Sequence, residues 1–211
     1  FPVQNLEKYY KDWTTEQFGE EYSVGIIELI SKYTKFNSRR KPELLSPGTY
    51  SLTNYREAET VVDSYIQLVE KSERIYNSIP QEYKDAYFQL VHHPVTACAN
   101  LNELYVAAAK NHLYYEQERA ETYLMAEKVK ELFKKDAEIT DYYNNTLADG
   151  KWKHMMDQTH IGYTIWQQPD KNIMPAVKEI QIPDVAEMGV AIEGSEKWWP
   201  NDTCEAVLPE L

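Results

Sequence analysis

Apolar side chains recur along the first two thirds of the chain in steps of three and four, the spacing that lines them up on one face of an α-helix. Residues 5–18 carry a short version of this pattern, and Gly19 is the predicted stop. Tyr22, Ile26, Leu29, Ile30 and Tyr33 predict a second helix. Residues 38–53 hold two prolines and a glycine and read as a long connection. Asn54 follows as the predicted N-cap, with Glu57 placed to complete a capping box. Behind it Val61, Val62, Tyr65, Leu68, Val69, Ile75, Tyr76 and Ile79 form a stripe on a helix of about seven turns.

Pro80 is predicted at the first position of the next helix, where a missing N–H does no harm. Its stripe runs through Tyr83, Tyr87, Leu90, Val91, Val95, Cys98, Leu101, Tyr105 and Ala108. Pro94 lies within it and cannot donate to the Leu90 carbonyl, which predicts a kink or break. Residues 120–148 read as a further helix with Met125, Val129, Leu132, Phe133, Ile139, Tyr143 and Leu147 inward, ended by Asp149 and Gly150. Beyond Gly150 the periodicity fades, prolines appear at 169, 175 and 183, and AVKEIQI alternates in part like a strand. The expected fold is mainly α: an antiparallel bundle of about five helices over residues 1–150, one of them kinked at Pro94. Residues 151–211 follow as an extended, aromatic-rich segment leading toward a β-element. No internal repeat is visible.

Composition agrees. Seven glycines among 211 residues favour helices over a turn-rich β-fold. With 43% apolar and 27% charged residues the chain reads as globular, one substantial domain plus a short second element. A net charge of −12 removes the electrostatic footprint of a general nucleic-acid binder. No apolar run approaches the roughly 18 residues of a membrane span. The chain opens Phe1-Pro2 without an initiator methionine or signal peptide and ends EAVLPEL, so a piece of a longer protein is expected. Cys98 and Cys204 are the two cysteines; Cys98, among apolar residues at helical spacing, reads as a buried free thiol and leaves the compartment open.

One stretch concentrates candidate chemistry, HMMDQTHIGYTIWQQPDKN at residues 154–172. His154, Asp157 and His160 raise the question of a metal. On a helix, His154 and His160 would stand roughly 120° apart and about 9 Å along the axis, too far for one ion. Two histidines four apart and a cysteine pair are both missing, so neither metal nor cofactor is expected. His92 and His93, before Pro94, read as partners for backbone carbonyls that the proline frees. There is no glycine-rich phosphate loop and no nucleophile elbow. No two carboxylates are singled out as the acid and base of a glycosidase, and the charges read as solvated helix faces.

The window from Lys151 to Lys178 is electrostatically distinct, with four lysines against two aspartates. It also holds Trp152, Tyr163 and Trp166, with Gln158, Gln167, Gln168 and Asn172 around them. Flat aromatic faces and amides suit sugar hydroxyls, and local positive charge suits an acidic sugar. The same residues suit an aromatic seam packing this segment onto the bundle or a neighbouring domain, and on composition alone the seam is the favoured reading.

The wording of several strings carries further. ISKYTKFNSRRKPELLSPGTYSL (residues 30–52), HPVTACANLNELYVAAAKN (93–111) and KWKHMMDQTHIGYTIWQQP (151–169), with NIMPAVKEI soon after, resemble the glycoside hydrolase family 115 proteins, the xylan α-glucuronidases. The resemblance covers nearly the whole chain but only one part of the family's architecture. For a full-length member it implies an N-terminal α/β domain, a (β/α)-barrel with the active site, a helical bundle and a C-terminal β-sandwich. This chain resembles the bundle and the linker toward the sandwich. The family's catalytic acid belongs to the barrel, so no catalytic residue is expected here.

The resemblance implies hydrolytic removal of glucuronic acid or its 4-O-methyl ether from xylan by a secreted or periplasmic enzyme. An anionic substrate makes His160, Tyr163, Trp166, Gln167 and Gln168 the candidate substrate-side wall of a site built mainly elsewhere. The expected partners are the catalytic barrel of the same polypeptide, xylan-derived glucuronides through the parent enzyme and, by way of tyrosine-rich faces, a second copy in a homodimer. Neither nucleic acid nor membrane is among them. Two other classes of function compete: a stand-alone helical glycan-binding protein stacking sugars on Trp152 and Trp166, and a purely structural interaction module without sugar affinity.

Overall fold

The computed structural model describes residues 5–164, 169–182, 184–185, 187–192 and 194–202. It is mainly helical: α1 (Leu6–Phe18), α2 (Glu20–Asn37), α3 (Glu57–Ser78), α4 (Gln81–Tyr87), α5 (His93–Glu116) and α6 (Thr122–Asp141). Among the described residues its strands are two short antiparallel segments, β1 (Val190–Ala191) and β2 (Trp198–Trp199), with Val190 opposite Trp199. No helix among the described residues is long and apolar enough to cross a membrane.

Two compact units divide the chain. The first gathers Phe1–Pro42, Ser64–Ala99 and Ala137–Gln158, the second Glu43–Asp63, Asn100–Asp136 and Thr159–Leu211. The division falls inside α3, α5 and α6, so each of these helices contributes to both.

The first unit owns one apolar core. Phe18, Ile26, Leu29, Leu68, Ile79, Tyr87, Val91 and Val95 are buried together, and Phe18 meets Trp13 and Tyr87 edge-on with centroids near 6 Å. Gly19 turns the chain from α1 into α2 at φ +89°, a left-handed conformation that glycine adopts without a Cβ penalty. Across this turn the Thr14 and Ser23 hydroxyls share a buried 2.6 Å hydrogen bond.

The break expected at Pro94 takes a specific form. Phe88–His92 is one turn of π-helix between α4 and α5, and the His93 N–H donates to the Phe88 carbonyl five residues back. Pro94, which has no N–H to donate, thereby follows the π-turn in the first turn of α5. A second π-turn, Tyr142–Thr146, follows α6. The two are packed together by Phe88 on Tyr142 (4.8 Å) and His93 on Tyr143 (4.6 Å).

In the second unit Leu45, Leu101, Leu104, Tyr105, Ala107, Ala108, Val129, Leu132 and Ile161 form the other core. Here α5 is buried nearly all round, from Asn100 to Ala109 apart from Glu103, because its small alanines let neighbouring backbone approach closely. Its asparagines are paired: Asn100 donates to the Leu132 carbonyl at 2.9 Å, and Asn102 accepts from the Tyr50 hydroxyl at 3.0 Å.

Several local expectations are corrected. The capping box at Asn54 and Glu57 does not form, because Tyr55 and Arg56 adopt positive φ (57° and 49°) and delay α3 to Glu57. The Glu57 carboxylate instead accepts from the Ser51 N–H (2.8 Å), while the Ser51 hydroxyl accepts from the Asn54 N–H (2.9 Å). Leu90, expected inward, is 46% exposed, since the π-turn rotates it off the stripe. The helix expected to run to residue 148 ends at Asp141, and Ala148 and Asp149 turn left-handed. AVKEIQI is no strand; β1 and β2 lie further along the chain.

Candidate functional site

The second unit holds the described part of the candidate wall. Ile161 is fully buried in its core, and this anchor sets the residues on either side. Asn172 closes a loop over them: its side-chain carbonyl accepts from the N–H groups of His160 (2.8 Å) and Ile161 (3.0 Å). The Ile173 N–H donates to the Ile161 carbonyl (3.0 Å), and the Thr159 hydroxyl donates to the Pro169 carbonyl (2.6 Å). Residues 159–161 and 169–173 therefore form a pinned base. Gly162 continues it at φ +94°, where a Cβ would lie 2.7 Å from the Ile173 Cβ, so the close approach of the two segments requires glycine.

His160 projects from this base to Asp136, with Nε2 2.9 Å from Oδ1. The Asp136 side chain is almost wholly buried, while that of His160 keeps 29% exposure. Tyr105 lies beside them: its hydroxyl accepts a long hydrogen bond from the Gly162 N–H (3.4 Å). Burial pushes the Tyr105 hydroxyl pKa up; the Gly162 N–H opposes this and the Asp136 carboxylate adds to it. A carboxylate, an imidazole and a phenol are thus gathered at the loop base, and the carboxylate orients the imidazole.

Of the sequence-derived candidates, His160 and Tyr163 belong to this unit, and Tyr163 is half-buried. Trp166, Gln167 and Gln168 lie outside the described residues. Sequence reasoning missed Asp136, taken for one more solvated carboxylate. The available signal was register: Asp136 lies four residues after Leu132 and seven after Val129, on the apolar face of α6. Asn172, read from the sequence as an amide for sugar hydroxyls, caps backbone instead, and Asn111 was missed, because a side chain that caps distant backbone leaves no local pattern.

Asn111, fully buried, holds the extended stretch beyond the loop. Its side-chain carbonyl accepts from the Lys178 N–H (2.7 Å), and its amide donates to the carbonyls of Lys178 (3.0 Å) and Thr122 (2.9 Å). His112 Nε2 lies 2.7 Å from the Ala176 carbonyl. Met174 and Val177 pack on the core, and the Lys178 ammonium sits 5.4 Å from the Tyr115 ring centre. Within AVKEIQI, Val177 and Ile180 are half-buried, and side chains of the helices take the place of a sheet partner.

In the first unit, Asp157 accepts from the Asn144 amide (2.8 Å) and pairs with His154 Nδ1 (2.7 Å). His154 and His160 are therefore each committed to a different carboxylate. Among the described residues no group of three or more His, Cys, Asp or Glu side chains is placed to hold a metal ion. Trp152 is half-buried, with the Lys151 ammonium 4.8 Å from its ring centre. His92 does not cap a freed carbonyl as expected; its Nδ1 lies 3.0 Å from the Ser72 hydroxyl and its ring stacks on Tyr76 at 5.3 Å. Desolvation lowers its pKa, with Glu73 opposing. Cys98 is a buried free thiol that accepts from the Asn37 amide at 3.3 Å, and burial raises its pKa.

No family model matches the chain, and no curated protein matches it either. Eleven chains of solved structures do. One is a family GH115 4-O-methyl-alpha-glucuronidase with specificity for decorated arabinogalactans, which superposes with a TM-score of 0.58 at 20% identity. The match covers 90% of this chain and 27% of that one. The fold described above is thus the fold of a part of that enzyme, about a quarter of its length.

Proposed function

We propose that this chain is a non-catalytic helical part of a larger glycoside hydrolase that removes glucuronic acid or its 4-O-methyl ether from a plant polysaccharide, with xylan as the leading polymer. The observation that carries this reading is the asymmetry of the structural match, which takes in 90% of this chain and 27% of the glucuronidase. A catalytic barrel elsewhere in the parent polypeptide is the partner this reading requires, in a secreted or periplasmic enzyme. Self-association through tyrosine-rich faces is part of the same proposal.

The loop base supports a role beside the substrate. Asp136 holds His160 in one orientation, and Asn172 holds the backbone on both sides of it. A side chain held in this way suits a wall that must keep its shape when a sugar arrives. Tyr163, Trp166, Gln167 and Gln168 complete the proposed wall by sequence position.

The isolated chain is expected to release no uronic acid from glucuronoxylan or from glucuronidated arabinogalactan, while the parent polypeptide releases it from one or both. Deleting these 211 residues from the parent should abolish the activity. Hydrolysis by the isolated chain, or a parent with no uronidase activity on either polymer, would sink the proposal.

A further inference from the structure

The densest run of positive charge in the sequence is not the window from Lys151 to Lys178. Residues 31–42 carry Lys32, Lys35, Arg39, Arg40 and Lys41 and no carboxylate, within a chain of net charge −12. All five side chains are exposed, along the C-terminal half of α2 and the turn that follows it. Lys32 and Lys35 are three residues apart within α2 and so share a face, and Arg39, Arg40 and Lys41 follow the helix end.

Glu28, on the same helix, strengthens the picture. Glu28 pairs with Lys32 at 2.7 Å and also with Lys71 of α3, so two cations share one anion. Hydrogen bonds from Lys32 and then Lys71 hold its pKa at about 2, the mark of a locally positive environment. Of the five cations on this stretch, Lys32 is the one paired with Glu28. Lys35, Arg39 and Lys41 have no ion-pair partner among the described residues, and the Arg39 guanidinium lies 4.6 Å above the Phe36 ring. That stacking leaves the edge of the guanidinium fork for an incoming carboxylate.

The helix macrodipole accounts for a cation in the last turn, such as Lys35. It does not account for three further cations past the helix end, nor for two lysines converging on one glutamate. Nucleic acid fits poorly, because it presents a charge about every 1.7 Å and would meet the acidic remainder of the chain. Sparse carboxylates on a neutral backbone match a compact basic patch in an otherwise acidic chain.

We infer that the C-terminal half of α2, with Arg39, Arg40 and Lys41 beyond it, is a docking surface for a polysaccharide bearing uronate carboxylates. The choice of polymer rests on the function proposed above; the surface rests on the charge and geometry of α2.

Affinity electrophoresis of the 211-residue chain in gels containing glucuronoxylan, xylan stripped of its uronic acid, or neither tests the surface. A short DNA duplex serves as a competitor. The expected result is retardation by glucuronoxylan alone, weakened by salt and reduced at least tenfold in the variant R39Q/R40Q/K41Q. A variant of equal charge change elsewhere, K8Q/K11Q/K135Q, should bind as the parent sequence does. Equal retardation by stripped xylan, equal loss in both variants, no retardation at all, or displacement by DNA at equal charge would overturn the inference. Uronic-acid release by the full parent polypeptide, assayed on a short uronide oligosaccharide, reports separately on the proposed function. Activity there without retardation here overturns the surface alone, whereas retardation without activity overturns the hydrolase reading alone.

Discussion

Glu28 shows how one side chain can couple two helices. It lies on α2, takes Lys32 from its own helix and Lys71 from α3, and its pKa falls from 4.5 to about 2. A carboxyl group whose folded pKa is depressed contributes stability that is fully present above its unfolded pKa. That contribution is lost as pH falls through the window from about 4.5 to about 2. With 41% of the side chain exposed, solvent and salt screen the effect. Urea midpoints of the native chain and of Glu28→Gln should therefore differ at pH 5 and converge by pH 2, with a smaller gap in high salt. A gap that stays constant over this window would mean that the two lysines do not act through the Glu28 charge.

At the scale of elements, the extended stretch over residues 174–179 is held by a helix rather than by a sheet. Asn111 replaces the missing strand, meeting both the N–H and the C=O of Lys178 and also the Thr122 carbonyl from a fully buried position. Asn111→Ala removes three hydrogen bonds and leaves buried backbone groups unpaired, a loss of about 2–4 kcal/mol. Amide hydrogen exchange should locate it, with the Lys178 N–H losing protection well beyond any change in α1 and α2. Undiminished protection at Lys178 would show that Met174 and Val177 alone hold the stretch. The two π-turns make a related point: each moves a helix by one hydrogen-bond register, and together they bring Phe88 to Tyr142 and His93 to Tyr143.

For the whole molecule, the question is whether the stretch that includes Trp166 serves sugar or packing. In the parent polypeptide, Trp166→Ala separates the two. A wall of the sugar site predicts kcat/KM down by roughly tenfold or more, since about 1.4 kcal/mol of lost transition-state contact is tenfold. A packing seam predicts a stability loss of about 3–5 kcal/mol with the kinetics of the folded fraction near normal. Melting and kinetics measured on one sample decide. Normal kinetics with lowered melting would remove Trp166 from the proposed wall.

Much of this protein was legible from local pattern, because a helix needs only neighbours three and four residues away. The stripes of Ile26 and Leu29, of Tyr65 and Leu68, and of Val129 and Leu132 give their helices by sequence alone, and all these residues are buried. Gly19 and Pro94 mark their boundaries because their backbone chemistry acts where they stand. Tertiary structure alone decided where polar side chains go. Asp136 meets His160 across 24 residues, Asn111 meets Lys178 across 67, and Lys71 meets Glu28 across 43. Such pairs have no period, since each partner is chosen by the way helices pack and not by its neighbours in sequence. The left-handed residues Tyr55 and Arg56 are of the same kind: nothing in their side chains asks for positive φ, and the packed chain imposes it.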